Sequence, residues 1–120
     1  MSRLRRFGTA SRWSDIVIHG DTAYWVEIAD DTTLDSKGQI ASVLAQIDAT
    51  LATIGSDRTR LIQVLIHLAD PSDAATLDAL WDAWVPVGHP PVRARFQSGL
   101  GGGCRVEMVI TAAVDAETIR

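Results

Sequence analysis

Two charged residues of the C-terminal third have the types needed to handle a small carboxylic acid. Arg93 directly follows Pro90-Pro91-Val92, so a stiff segment fixes its backbone direction, and its planar guanidinium suits a two-pronged grip on a carboxylate. Glu107 stands on the neighbouring strand between Val106 and Met108, where a carboxylate could hold or activate a water molecule. The alternative from the pattern alone is a structural Arg93–Glu107 ion pair.

Other reactive residues do not form a recognisable motif. The three histidines, His19, His67 and His89, are far apart and lack metal-ligand spacing, so we interpret them as unrelated and expect no metal site. Cys104, the only cysteine, has no base nearby in sequence and is interpreted as a buried or semi-buried structural thiol. Trp81 and Trp84 lie three residues apart and are interpreted as core or subunit-contact aromatics.

Composition bounds the class of protein and its partners. The 120 residues are predicted to form one domain, 1–120, and a 47% apolar content excludes intrinsic disorder. A net charge of −4 without a basic stripe argues against nucleic acid, and no apolar run is long enough for a membrane helix. A single cysteine and no signal-peptide pattern lead us to expect a cytoplasmic protein.

The elements that must position these residues are read from hydrophobic periodicity. Apolar residues at helical spacing predict a first helix over residues 37–54, with Asp35 or Ser36 as N-cap and Gly55 after its end. A second helix carries Trp81 and Trp84 and ends before Pro86. β-Branched and alternating runs predict six strands, at residues 3–7, 15–19, 23–28, 61–68, 92–97 and 105–113.

The order β-β-β-α-β-α-β-β predicts an α+β fold with one mixed sheet and both helices on the same face. Val106, Met108 and Ile110 share one face of the last strand. Glu107, Val109 and Thr111 share the other, which is neither plainly core nor plainly solvent-facing. We therefore expect the helix-free face to pack on other subunits.

Several segments together resemble the RidA/YjgF family of reactive-intermediate deaminases, and most of all its YoaB-like branch. The resemblance covers roughly residues 10–114, and its most specific part is a Pro-x-Arg segment followed fourteen residues later by the glutamate of a Val-Glu pair. The segments are RWSDIVIHG at 12–20, QID at 46–48, LAD at 68–70, WDAW at 81–84, GHPPVR at 88–93 and VE at 106–107.

The resemblance implies a chorismate-mutase-like fold, a homotrimer and ligand clefts between adjacent subunits. It implies hydrolysis of enamines and imines, such as 2-aminoacrylate and 2-iminopropanoate, to 2-keto acids and ammonia, without cofactor or metal. The family's carboxylate-binding arginine falls on Arg93, its water-positioning glutamate on Glu107, and its ligand-covering aromatic residue on Trp13, where active members usually have tyrosine.

Three departures from the family pattern bear on activity, and one of them is the loop Gly101-Gly102-Gly103, where many relatives carry a Pro-containing turn. Val26-Glu27 occupies a position where relatives often have Ser-Gly or Thr-Gly, whose backbone helps to hold the substrate carboxylate. If Glu27 faced the cleft, it could pair with Arg93 and compete with a ligand. Arg95 replaces a cysteine or small polar residue and could offset Glu27 or strengthen the preference for anions. The alternative to a deaminase is therefore a non-catalytic trimer that binds or senses a small keto acid.

Overall fold

A computed structural model describes residues 3–115, which form a six-stranded sheet and two helices. The elements are β1 (Leu4–Phe7), β2 (Ile16–His19), β3 (Thr22–Ile28), α1 (Ser36–Thr53), β4 (Leu61–Leu68), α2 (Ala74–Trp84), β5 (Val92–Gln97) and β6 (Val106–Ala113). The strand order is β1-β2-β3-β6-β4-β5, in which β4 and β5 run parallel and every other neighbouring pair runs antiparallel. This confirms the predicted α+β mixed sheet.

Local chemistry explains where α1 begins and ends. The Asp35 carboxylate accepts a hydrogen bond of 2.8 Å from the Gly38 backbone N–H, which satisfies one of the free donors of the first turn. After Thr53 the chain leaves the helix through Gly55, whose φ of 70° lies in the left-handed region that glycine adopts at low cost. The predicted range 37–54 was therefore correct to within one residue at each end.

Both helices cover the same face of the sheet and enclose one hydrophobic core. On β6 the buried residues alternate, with Val106, Met108 and Ile110 inside, as predicted. From α1, Ile40, Val43, Leu44, Ile47 and Leu51 are buried, and from α2, Leu77, Trp81 and Trp84 are buried. The core interpretation of the two tryptophans is therefore confirmed.

The opposite face carries no helix and is partly apolar. Tyr24, Val26 and Ile28 of β3 are exposed there, as is Phe96 of the edge strand β5. We call this surface the open face. The prediction that it contacts other subunits is untested by one chain.

A buried glutamine fixes the entrance to β6. Gln39 has no exposed surface, and its amide nitrogen donates to the carbonyls of Thr32, Leu34 and Gly103 at 3.0–3.1 Å. Its carbonyl accepts from the Arg105 backbone N–H at 2.8 Å. Because a buried amide with all its partners is hard to displace, Gln39 sets the position of β6 only two residues before Glu107.

Strand order corrects one expectation. Glu107 was expected on the strand neighbouring Arg93, but β4 pairs with both β5 and β6 and lies between them. Adjacency in sequence is a poor guide here because the crossover through α2 puts β5 at the edge, while the following chain returns to the middle of the sheet.

Neither helix within residues 3–115 has the length and the apolar composition of a membrane-spanning segment.

Candidate functional site

A cleft opens along the free edge of β3. Strand β2 pairs with β3 only over Thr22–Tyr24, so Trp25 to Ile28 have a strand partner on the β6 side alone. The cleft has a volume of about 710 Å³. It is lined by Trp13, Ser14, Asp15, Ile16, Trp25, Val26, Glu27, Ile28, Asp30, Thr50 and Glu107.

Four of the six residues predicted for the site therefore meet in one place: Trp13, Val26, Glu27 and Glu107. Glu107 and Val26 lie on the open face, where β6 and β3 pair. The Trp13 side chain, 66% exposed, lies in the segment before β2. The exposed Trp13 and the half-buried Glu107 give the cleft one aromatic side chain and one carboxylate.

Glu27 lines the cleft from the helix-covered face. Its carboxylate accepts hydrogen bonds from Trp25 Nε1 at 3.1 Å, Gln46 Nε2 at 3.1 Å and Thr50 Oγ1 at 2.7 Å. Three donors, one from β3 and two from α1, thus fix the Glu27 carboxylate. A glycine at this position would leave only free backbone there. The predicted competition for Arg93 does not occur within one chain, since Arg93 is bonded to another carboxylate.

Arg93 lies on the helix-covered face of β5 and contacts α2. Its Nη2 donates to Asp78 Oδ1 at 2.6 Å, and its guanidinium carbon lies 5.4 Å from the centre of the Trp81 ring. The side chain remains 24% exposed. Arg95, two residues on, shares that face by strand alternation and is more exposed.

The two arginines and Glu107 lie on opposite faces of the sheet. Arg93 pairs in register with Val64, whose side chain is in the core, whereas Glu107 pairs with Ile28 and His67 on the open face. The Arg93–Glu107 ion pair weighed from the sequence therefore does not form within one chain. One chain does not bring Arg93 or Arg95 together with Glu107.

His67 is a residue whose position the sequence gave no reason to notice. It stands directly across from Glu107 on the antiparallel β4–β6 pair, stacks on Phe96 with ring centroids 5.2 Å apart, and has Nδ1 2.7 Å from Ser98 Oγ. The three histidines share no spacing, so only the strand register could have revealed that one of them neighbours Glu107. Trp25 was missed for a similar reason: it lines the cleft and binds Glu27 although it is almost fully buried.

Charge in the cleft is one-sided. Asp15, Glu27, Asp30 and Glu107 are acidic, and none of the described residues that line the cleft is basic. Within residues 3–115, the three ion pairs between charged side chains lie elsewhere: Arg58–Asp48, Arg60–Asp115 and Arg93–Asp78. A carboxylate ligand would therefore need positive charge from outside the cleft of a single chain.

Comparisons with known proteins agree over nearly the full length. The family model described as Endoribonuclease L-PSP matches residues 4–114. The RutC family protein YoaB of Escherichia coli K12 is 43% identical over 110 residues, which span 91% of this chain and 96% of that protein. A RutC family protein of Haemophilus influenzae is 35% identical over 112 residues, spanning 91% of this chain and 97% of that protein.

Solved structures show the same fold. A protein from Pseudomonas aeruginosa superposes with a TM-score of 0.88 at 37% identity, covering 93% of this chain and 99% of that chain. A member of the YjgF protein family from Neisseria meningitidis superposes with a TM-score of 0.85 at 36% identity, covering 92% of this chain and 94% of that chain. The cleft, strand β5 with Arg93 and strand β6 with Glu107 all lie inside the region that the family model matches.

Proposed function

Because the chain belongs to the RidA/YjgF family, we propose that it hydrolyses reactive enamine and imine acids to 2-keto acids and ammonia. The observation that carries the proposal is the cleft at the free edge of β3, in which Glu107 and Trp13 meet beside unpaired strand backbone. Its ligand is then a small imino or keto acid. The resemblance assigns water positioning to Glu107 and ligand cover to Trp13, and both residues line this cleft.

The reaction asks little of the protein beyond positioning. As a water oxygen attacks the imine carbon, Glu107 takes a proton from that water and the C=N electrons move to nitrogen. Glu107 then returns this proton to the nitrogen, which completes the carbinolamine. In the second step Glu107 takes the hydroxyl proton and passes it to the amine nitrogen, so that the C–O double bond forms, the C–N bond breaks and ammonia leaves. Since an imine is already electrophilic, correct placement of the water supplies much of the rate.

Arg93 is suited to the substrate carboxylate because most of its donors are unused. A guanidinium has five N–H donors, and the structure gives Arg93 one hydrogen bond, to Asp78. The remaining donors belong to a side chain that is still partly exposed at the sheet edge. They are available to a planar carboxylate in a bidentate geometry.

A complete site requires a second copy of the chain. Arg93 and Glu107 lie on opposite faces of one sheet, so a substrate held by both must lie between two chains. The acidic cleft of one chain and the Arg93–Arg95 edge of another are complementary in charge. The exposed apolar residues of the open face support the same arrangement, and we propose the homotrimer that the resemblance implies.

The ribonuclease activity in the family model's description is a weaker candidate for this chain. RNA binding relies on basic and aromatic surfaces that neutralise phosphates. The cleft presents four carboxylates, and the chain carries a net charge of −4.

The decisive experiment measures 2-iminopropanoate hydrolysis. An amino-acid oxidase generates the imine from alanine, and semicarbazide traps what remains. The wild type should lower semicarbazone formation, and Arg93→Ala and Glu107→Gln should each reduce the rate by about 100-fold or more. Arg60→Ala is the matched control, since it also removes an arginine from an aspartate pair, at Asp115, and should leave the rate unchanged.

A folded wild type that never changes semicarbazone formation would contradict the deaminase. One observation favours the second candidate, a non-catalytic keto-acid binder: the fixed Glu27 carboxylate occupies the cleft where relatives often have glycine. Binding of pyruvate without turnover, measured by isothermal titration calorimetry and lost in Arg93→Ala, would then identify the chain as a binding or sensor protein.

A further inference from the structure

We propose that Asp78 is a positioning residue that orients Arg93 toward the substrate carboxylate. This inference rests on the proposed function, because it concerns the same arginine, but nothing in the sequence motif includes Asp78. Asp78 belongs to α2, and Arg93 to β5, fifteen residues later.

Two side chains of one helix define the orientation of the guanidinium. Asp78 Oδ1 accepts from Nη2 at 2.6 Å, which fixes the direction in which the group points. Trp81 lies three residues further along α2, on the same helix face, and its ring centre lies 5.4 Å from the guanidinium carbon. The cation–π contact with the indole restrains the position of the guanidinium, while the hydrogen bond to the carboxylate restrains its rotation.

The support beneath the pair is rigid. Trp81 is 5% exposed, and its ring lies 5.5 Å from that of Trp84, which is also buried. Asp78 itself is about half exposed at 52%, so its charge is partly screened by water. The hydrogen bond is therefore the more useful contribution, because it selects one conformation of a long and otherwise flexible side chain.

Preorganisation explains why a carboxylate should help to bind another carboxylate. Asp78 accepts from one N–H group of Arg93, and the remaining N–H groups of Arg93 keep a fixed direction. The ligand therefore does not have to order the arginine side chain as it binds. The cost is repulsion between Asp78 and the ligand, which falls in the partly exposed setting. The Asp78→Asn substitution separates the orienting effect of Asp78 from the effect of its charge, since asparagine keeps an acceptor oxygen at the same position and is neutral.

The test compares Asp78→Ala with Asp78→Asn in the full-length assembled protein. For 2-iminopropanoate hydrolysis we expect Asp78→Ala to raise KM about tenfold while kcat changes less than twofold. Asp78→Asn should keep KM at or below the wild-type value. The matched control is Asp82→Ala, which removes an exposed carboxylate from the same helix and should change neither constant.

Equal KM values in Asp78→Ala and the wild type would overturn the proposal, as would an equal loss in Asp78→Asn and Asp78→Ala. If the wild type does not hydrolyse imines, the deaminase proposal fails, and pyruvate dissociation constants of the same variants decide the role of Asp78. Weaker binding by Asp78→Ala with rescue by Asp78→Asn supports it. Unchanged binding, or no pyruvate binding by the wild type, overturns it.

Discussion

Two arginine clusters made of the same three residue types flank α2 and differ in how fully the arginine is bonded. The first consists of Arg58, Asp48 and Trp84, and the second of Arg93, Asp78 and Trp81. We call them the Arg58 cluster and the Arg93 cluster. In both, the guanidinium carbon lies 5.0–5.4 Å from an indole ring centre, and a carboxylate oxygen lies 2.6 Å from a guanidinium nitrogen.

The Arg58 cluster uses every guanidinium nitrogen. Nε and Nη2 donate to the two oxygens of Asp48 at 2.6 and 2.7 Å, and Nη1 donates to the Trp84 carbonyl at 2.9 Å. Trp84 Nε1 also donates to Asp48. The hydrogen bonds to Asp48 raise the pKa of the Arg58 guanidinium above its ordinary value. Such an arginine joins α1 to the end of α2 and has little left for a ligand.

In the Arg93 cluster the guanidinium donates only one hydrogen bond within residues 3–115, to Asp78, so the same three residue types leave the arginine available to a ligand. The difference indicates that the number of engaged donors, rather than the presence of an ion pair, distinguishes a structural arginine from one available to a ligand. Substitutions in the Arg58 cluster should mainly change stability, and substitutions of Arg93 should mainly change function.

The largest effect is expected for Trp84→Ala. It removes a buried indole and its bond to Asp48, and should lower the free energy of unfolding by about 3 kcal/mol. Trp84→Phe keeps most of the ring packing and should lose only about 1.5 kcal/mol, the low end of the range for a hydrogen bond to a charged group, because Asp48 is partly exposed. Urea unfolding followed by circular dichroism measures both, and equal losses would show that the indole N–H, not the ring, matters.

A smaller but more discriminating effect separates the two arginines. Arg58→Ala should cost about 1–2 kcal/mol of unfolding free energy, because it removes three hydrogen bonds, two to Asp48 and one to the Trp84 carbonyl. Arg93→Ala should cost at most about 0.5 kcal/mol, since it loses one hydrogen bond, to the Asp78 carboxylate, which is 52% exposed. A greater stability loss in Arg93→Ala than in Arg58→Ala would break the comparison.

The smallest effect concerns acid pH and the turn that presents Arg58. Asp57 caps the short 3₁₀ turn Arg58–Arg60, and hydrogen bonds from the Thr59 hydroxyl and backbone N–H lower the pKa of its carboxyl below the ordinary 3.8. A lowered folded-state pKa gives stability that is present above the unfolded value and lost as the pH falls through the folded one.

Wild-type urea midpoints should therefore fall more between pH 5 and about 3 than those of Asp57→Asn, because asparagine caps the turn without titrating. An Asp57→Asn profile parallel to that of the wild type would assign the acid sensitivity to other carboxylates, such as Asp31 and Asp70, whose pKa values are lowered in the same way.

The glycine run before β6 has one property that the sequence predicts and another that only the tertiary structure explains. Gly101, Gly102 and Gly103 predict a loop, which the structure contains. The requirement for glycine at position 103 is visible only in three dimensions. Its φ is 79°, and a Cβ there would lie 3.2 Å from the Thr32 carbonyl oxygen. The close approach depends on Gln39, which is distant in sequence and binds both segments.

The sequence by itself determined the helices, the strands and the residue types of the site. Those properties follow from periodicity, caps and turn residues, which act over a few neighbouring positions. Arg93 and Glu107 were selected by residue type and local context, and Glu27 was recognised as a departure from the family pattern. Each of these conclusions needed no knowledge of which strands are neighbours.

Only the tertiary structure decided which side of the sheet each charged residue occupies and what it contacts. Strand pairing places β4 between Arg93 and Glu107, and register turns Arg93 toward Asp78 and Glu27 toward Gln46 and Thr50. The physical reason is that a shift of one residue in register reverses every side chain on a strand. Register is set by packing and hydrogen bonds across the whole sheet, which no local segment of the chain encodes.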